Sequence, residues 1–148
     1  MLKRTTSDDP DFQSLVALLD KDLAVKYGDE QAFYAQFNKI DTIENAVVFS
    51  HKGEALGCGA FRAFDNKTVE IKRMFVQPDF RGRGIGDAIL KELEQWAAEI
   101  NYTACILETG KKQPEAIKLY QKTGYIIIPN FGQYANVENS VCMKKSIK

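Results

Sequence analysis

The chain has 148 residues, 45% of them hydrophobic and 27% charged, with 20 basic side chains against 20 acidic ones. That length suits a single domain, 1–148, with its own buried core, and zero net charge gives no field to draw nucleic acid or an anionic membrane over the whole surface. Cys58, Cys105 and Cys142 stand far apart without a C-x-x-C pair and His51 is the single histidine, so neither a disulfide framework nor a metal site is expected.

The first ten residues carry charge but no apolar stretch, which argues against a signal peptide, and no run has the length to cross a bilayer. Leu2 to Thr6 reads as a first strand. Asp8-Asp9-Pro10 starts a helix whose Phe12, Leu15, Val16, Leu19 and Leu23 keep helical spacing to about Lys26, and Gly28 ends it. A second, shorter helix is expected over Glu30 to Asn38, carrying Phe33, Tyr34 and Phe37. Ala46 to Ser50 and Glu54 to Phe61 flank the hairpin turn Lys52-Gly53, and Asp65-Asn66-Lys67 turns the chain into a strand over Thr68 to Val76. Gln77-Pro78-Asp79 is another turn. The long helix after it places Ile85, Ile89, Leu93, Trp96 and Ile100 on one apolar face. Ala104 to Leu107 is a short strand ending at Glu108-Thr109-Gly110, and Pro114 to Lys122 is a helix with Gly124 just past its end. Tyr125 to Ile128 is a strand that Pro129 stops, and the loop Asn130 to Asn139 leads to a last strand, Ser140 to Lys144. This order is that of a mixed α/β sheet with helices on both faces. The three cysteines fall in apolar strands, as buried thiols of a reducing cytoplasm would.

One segment carries chemistry. Arg81-Gly82-Arg83-Gly84-Ile85-Gly86 lies between a strand and a helix N-terminus, where backbone N–H groups and the helix dipole favour an anion. Two arginines add full charge and bidentate donors. The glycines do not fit the G-x-G-x-x-G dinucleotide fingerprint, and no lysine follows as in a Walker A loop. They do fit [QR]-x-x-G-x-[GA] through Arg81, Gly84 and Gly86. That pattern resembles the pyrophosphate-binding signature of the GNAT acetyltransferases. Some thirty residues on, Ala116-Ile117-Lys118-Leu119-Tyr120-Gln121-Lys122-Thr123-Gly124-Tyr125 resembles the family's second signature, A-I-x-L-Y-x-x-x-G-[FY]. The resemblance runs from about Leu2 to Lys145 and is weakest over the first forty residues.

The resemblance implies a GNAT fold, with two splayed parallel strands, Thr68–Val76 and Ala104–Leu107, holding the pantetheine arm of acetyl-CoA, the cosubstrate. It implies that Phe75 and Val76 offer backbone groups to the acyl end, and that Arg81, Gly82, Arg83, Gly84, Ile85 and Gly86 hold the pyrophosphate. Many relatives carry an asparagine where this chain has Gln113, followed by Pro114. The amide is kept with a different reach, so Gln113 is carried over as a weaker cofactor contact. Lys111 and Lys112 reach a CoA phosphate or form a solvated pair.

Glu70 stands where many relatives carry a catalytic glutamate. Period-two alternation puts it on one face with Lys72, Met74 and Val76. Its other readings are an ion pair with Lys72 or Arg73, or an exposed edge position. Glu108, at a strand end facing the ligand crevice, is the rival base. Tyr120 matches the tyrosine that protonates the departing thiolate in many relatives. It also shares a helix face with Ala116 and Ile117, which would make it core. The acceptor site of the family falls here on Tyr27, Phe33, Tyr34 and Phe37, and on Asn130, Phe131, Tyr134 and Asn136. Of these, the loop Asn130-Phe131-Gly132-Gln133-Tyr134 is the better candidate, since a solvent loop has little structural need for two rings. The function implied is a cytoplasmic N-acetyltransferase acting on a small amine or amino-acid-like acceptor by direct attack in a ternary complex. No cysteine has a sequence partner that would activate it as an acyl carrier. A protein or peptide N-acetyltransferase and a non-catalytic acyl-CoA sensor are the alternatives. The expected partner is a small-molecule amine, with homodimerisation left open and neither nucleic acid nor membrane expected.

Overall fold

The computed structural model describes residues 1–28 and 42–148. The helix expected over 30–38, with Phe33, Tyr34 and Phe37, lies outside the described residues. Leu2–Thr5 forms β1 and Pro10–Tyr27 forms α1. Asp9 caps α1 by accepting from the amides of Asp11 and Phe12, Pro10 occupies the first turn, and Gly28 ends the helix at a φ of +53°. Asn45–His51 is β2, Glu54–Ala63 is β3 and Thr68–Val76 is β4. A short 3₁₀ turn, Pro78–Phe80, leads to α2, Ile85–Glu99. Ala104–Gly110 is β5, Pro114–Lys122 is α3, Ile126–Ile128 is β6 and Ser140–Ser146 is β7.

The strands form one sheet in the order β1-β2-β3-β4-β5-β7-β6 among the described residues. Every neighbouring pair is antiparallel except β4 and β5, which run parallel. Alternation sorts the apolar side chains to two faces. Val47, Phe61, Val69, Ile71, Cys105 and Leu107 pack under Ile89, Leu90 and Leu93 of α2. Ala46, Val48, Cys58, Ala60 and Phe75 pack under Phe12, Leu15, Val16 and Leu19 of α1. The expected mixed sheet, covered on both faces, is what the chain builds.

Two irregularities position the site. The β3–β4 register slips by one residue between Cys58 and Ala60, so that Arg73 and Met74 together oppose Gly59. Arg73 takes up the bulge at a φ of +62°, and a Cβ at Gly59 would press on Met74 Sδ at 2.5 Å. The second irregularity is a split. β4 and β5 pair from Thr68–Ala104 to Ile71–Leu107 and no further. Beyond that point β4 follows β3 through Val76, while Glu108, Thr109 and Gly110 of β5 follow β7.

The bulge corrects one expectation. Glu70 shares its face with Lys72 and Phe75, toward α1, whereas Met74 and Val76 pack on the α2 side. The extra residue inverts the alternation after Lys72, and a period-two count cannot see it. At the end of α2, Ile100 is 44% exposed and lies past the last helical turn, so it does not join Ile89 and Leu93 in the core. β5 also runs three residues further than its apolar stretch suggests, because β7 supplies partners for Glu108 to Gly110.

Candidate active site

The glycine-rich turn takes the form its sequence demands. Gly82 and Gly84 sit at φ of +78° and +83°, conformations that side-chain-bearing residues adopt only at a cost. Gly84 is the residue from which α2 starts, and Gly82, Arg83 and Gly84 are exposed. The first amides of α2 have no partner within the helix, so they point outward with the positive end of its dipole. Arg83 is solvent-facing, with its guanidinium over the Phe80 ring at 5.3 Å. Arg81 is used differently. Its Nε donates to the Val76 carbonyl at 2.8 Å and its guanidinium lies 5.6 Å from the Phe75 ring centroid. It also stands 3.8 Å from Asp22 of α1 and 3.9 Å from Glu115 of α3. Arg81 thus ties the end of β4 to both helices, while Phe75 is buried against α1 and Val76 packs on the other face.

Next to this turn the split between β4 and β5 opens into a cleft. Leu19, Leu23 and Tyr27 of α1 line one side, Ala116 and Tyr120 of α3 the other, and Lys72, Arg73, Glu108 and Gln113 are also in its wall. Gln113 donates to the Tyr27 hydroxyl at 3.2 Å, and Tyr27 occupies the space that a Cβ at Gly110 would need. Lys111 and Lys112 are exposed, and the Lys112 amine stands over the Tyr27 ring at 5.5 Å.

Glu108 enters the cleft from the end of β5 that has parted from β4. Burial pushes its carboxyl up to about 7, against the opposing pull of the Ser140 hydroxyl, which donates at 2.7 Å, and of the Lys72 charge. The charge of Glu70 adds to the rise. Tyr120 is 6% exposed, and burial, with the Glu108 charge, holds its phenol far above the ordinary value, so it stays protonated at neutral pH. Its ring meets Tyr125 edge-on at 5.9 Å.

Glu70 is buried beside the cleft. Its carboxylate accepts from the Tyr134 hydroxyl at 3.4 Å and stands 3.6 Å from the Lys72 amine and 3.7 Å from Arg62. The expected partner Lys72 is therefore present; Lys72 also donates to Tyr134 at 3.4 Å. Tyr134, read as a loop aromatic, is 3% exposed and joins the carboxylate cluster. Phe131 braces it edge-on at 5.5 Å and packs on Phe64 at 5.3 Å. Asn130 spends its amide on the carbonyls of Val137 and Ser140, which orders the loop, and Asn136 is exposed. Glu108, Tyr120 and Gln113 line one cleft, and Glu70 and Tyr134 are joined to its wall through Lys72. Arg73, read from the sequence only as an ion-pair partner for Glu70, enters the wall through the bulge, and Ser140, not singled out there, reaches Glu108 through the β5–β7 register.

The sequence profile of the acetyltransferase (GNAT) family matches residues 12–125. The chain belongs to that family. It is an acyltransferase with the family's α/β fold, and the parallel β4–β5 pair is the one the resemblance calls for. The chain is 39% identical over 103 residues to an IAA acetyltransferase of Azospirillum brasilense, covering 68% of this chain and 67% of that one. It is 31% identical over 112 residues to N-acetylaspartate synthetase of Danio rerio, covering 75% of this chain but only 38% of that longer protein. A Klebsiella pneumoniae protein described as an acyl-CoA N-acyltransferase superposes with a TM-score of 0.81 at 29% identity, covering 100% of this chain and 97% of that one. A GNAT acetyltransferase of Elizabethkingia anophelis, solved with acetyl-CoA bound, shares the fold with a TM-score of 0.67 at 19% identity, covering 99% of this chain and 97% of that one. Among the described residues no helix is long and apolar enough to cross a membrane.

Proposed function

We propose that this acyltransferase moves an acetyl group from acetyl-CoA to the amine of a small molecule, by direct attack within a ternary complex. The observation that carries the reading is the split of β4 from β5, which opens between Glu108 and Tyr120 beside the glycine-rich turn. The amides of the Gly84–Gly86 turn, with Arg83, meet the pyrophosphate of CoA. The free edges of β4 beyond Ile71 and of β5 beyond Leu107 offer backbone groups to the pantetheine arm, and Gln113 borders that path.

In the transfer, the amine nitrogen attacks the thioester carbonyl, the carbon–sulfur bond breaks, and the nitrogen's proton must leave. Glu108 takes that proton, directly or through water. A carboxylate at about 7 is half ionised at neutral pH, which is where a general base works best. Glu70 remains in the proposal as the alternative base. Its place behind Lys72 and Tyr134 suits it better to holding those two groups and raising Glu108. Tyr120, protonated and in the cleft wall, supplies a proton to the departing thiolate. The thiols Cys58, Cys105 and Cys142 are buried and burial raises all three, which speaks against an acyl-cysteine route and fits a reducing cytoplasm. A cleft walled by α1 and α3 fits a small acceptor, in keeping with the names of the two relatives.

The test is thiol release from acetyl-CoA across a panel of amines, amino acids and short peptides, with the acetylated product confirmed by mass. Turnover with small amines or amino acids above the rate of hydrolysis is the expected result. Tight acetyl-CoA binding with no turnover on any acceptor would replace the transferase reading by that of a sensor, and turnover confined to peptides would move the acceptor to proteins.

A further inference from the structure

The proton transfers above require nothing of Arg73, yet the fold places that side chain in the cleft at some cost. Arg73 is 7% exposed, lines the opening between β4 and β5, and holds the bulge at a φ of +62°, where glycine or asparagine would be less strained. Strain of this kind gathers at functional sites. Lys72, the preceding residue, is 8% exposed and lines the same opening. The charges that act on Arg73 include Asp20 of α1 and Arg62 of β3, so its guanidinium belongs to the α1 side of the sheet, with Glu70, Lys72 and Tyr134. The glycine turn at the start of α2 belongs to the other side. The acceptor therefore reaches the thioester through a passage whose wall carries two buried cations.

A plain alkylammonium gains nothing on this path from Lys72, which Glu70 faces at 3.6 Å, or from Arg73, on which Asp20 acts. An acceptor with a carboxylate next to its amine would meet the same groups as attraction, and a guanidinium fork matches a carboxylate with two parallel hydrogen bonds. We propose that the acceptor is an amino acid, and that Arg73 is the specificity-determining residue that receives its carboxylate, with Lys72 adding to the positive field. The proposal rests on the transferase reading for the identity of the reaction, but the carboxylate site can be measured without it.

The experiment pairs each amino acid with its carboxamide and its decarboxylated amine in the thiol-release assay, for the parent, Arg73→Gly and Arg73→Lys. Glycine accepts the left-handed backbone, so Arg73→Gly keeps the bulge. In the parent, kcat/KM for the carboxylate-bearing acceptor should exceed that of its matched amide by about 10- to 100-fold, the range of a charged hydrogen-bonded pair. Arg73→Gly should collapse that ratio toward unity, and Arg73→Lys should recover part of it. Amides and plain amines used as well as amino acids would overturn the proposal while leaving the transferase intact. A second readout is the thermal shift of the CoA-loaded protein with carboxylates that lack an amine, such as succinate. An Arg73-dependent shift without turnover would uphold the carboxylate site and overturn the transferase. Absence of both shift and turnover would overturn both.

Discussion

Glu108→Gln separates the proposed base from its neighbour and carries a stability consequence of opposite sign. The folded chain raises this carboxyl from 4.5 to about 7, mainly through burial. The folded state therefore holds the proton more tightly than the unfolded chain. That contribution is complete below about pH 4.5 and is lost as pH rises through about 7. At about 1.36 kcal/mol per pH unit, the loss approaches roughly 3 kcal/mol by pH 8 as an upper bound. Glutamine can still accept from Ser140 and has no charge to desolvate. Glu108→Gln should thus melt higher than the parent at pH 8, by as much as about 10 °C for a chain of this size. The gap should close as pH falls toward 4.5. Activity should move the other way. In the parent, kcat at saturating acceptor should climb with pH and level off above about 7; in Glu108→Gln it should fall by about 10²–10⁴-fold and lose that limb. Glu70→Gln should keep most of kcat and shift the bend to lower pH, because one of the charges raising Glu108 is gone. Stopped-flow thiol release from about pH 5.5 to about pH 9, with differential scanning calorimetry, checks both halves. A collapse of kcat in Glu70→Gln, with the limb retained in Glu108→Gln, would refute the assignment and make Glu70 the base.

Tyr120→Phe keeps the ring against Tyr125 and removes only the donor, so kcat should drop by about 10²-fold or more with Tm and acetyl-CoA affinity near parental; unchanged turnover would return Tyr120 to the core. Gly110→Ala should force Tyr27 out of its seat and break its bond from Gln113, costing about 1–3 kcal/mol in denaturant melts and weakening acetyl-CoA binding. Parental stability in the Gly110→Ala variant would show that Tyr27 has room to move.

The parts of the fold that could be read from sequence are those fixed by local chemistry. Asp9-Pro10 and Gly28 bound α1 because capping acts within one turn, and Gly82 and Gly84 mark a turn that needs left-handed backbone. The bulge escaped because its left-handed residue is an arginine, which carries no compositional cue; alternation then grouped Glu70 with Met74 and Val76. Glu108 looked like the end of a strand because Glu-Thr-Gly is polar, while its continued pairing depends on β7, more than thirty residues away. Tyr134 could be recognised as an aromatic needing an explanation. Its partners Glu70 and Lys72 could not, since they lie on a strand over sixty residues earlier.

Acetyl-CoA binding at the glycine-rich turn is the decisive measurement, made by calorimetry on the parent, Gly84→Asn and Gly84→Glu. Asparagine tolerates a φ near +83° and stays neutral, so it serves as the control for backbone strain. Glutamate adds a negative charge where the first amides of α2 meet phosphate. Gly84→Glu should lose about 100-fold or more in affinity while its thermal unfolding stays cooperative, and Gly84→Asn should lose far less. Parental affinity in the folded glutamate variant would contradict pyrophosphate binding at this turn.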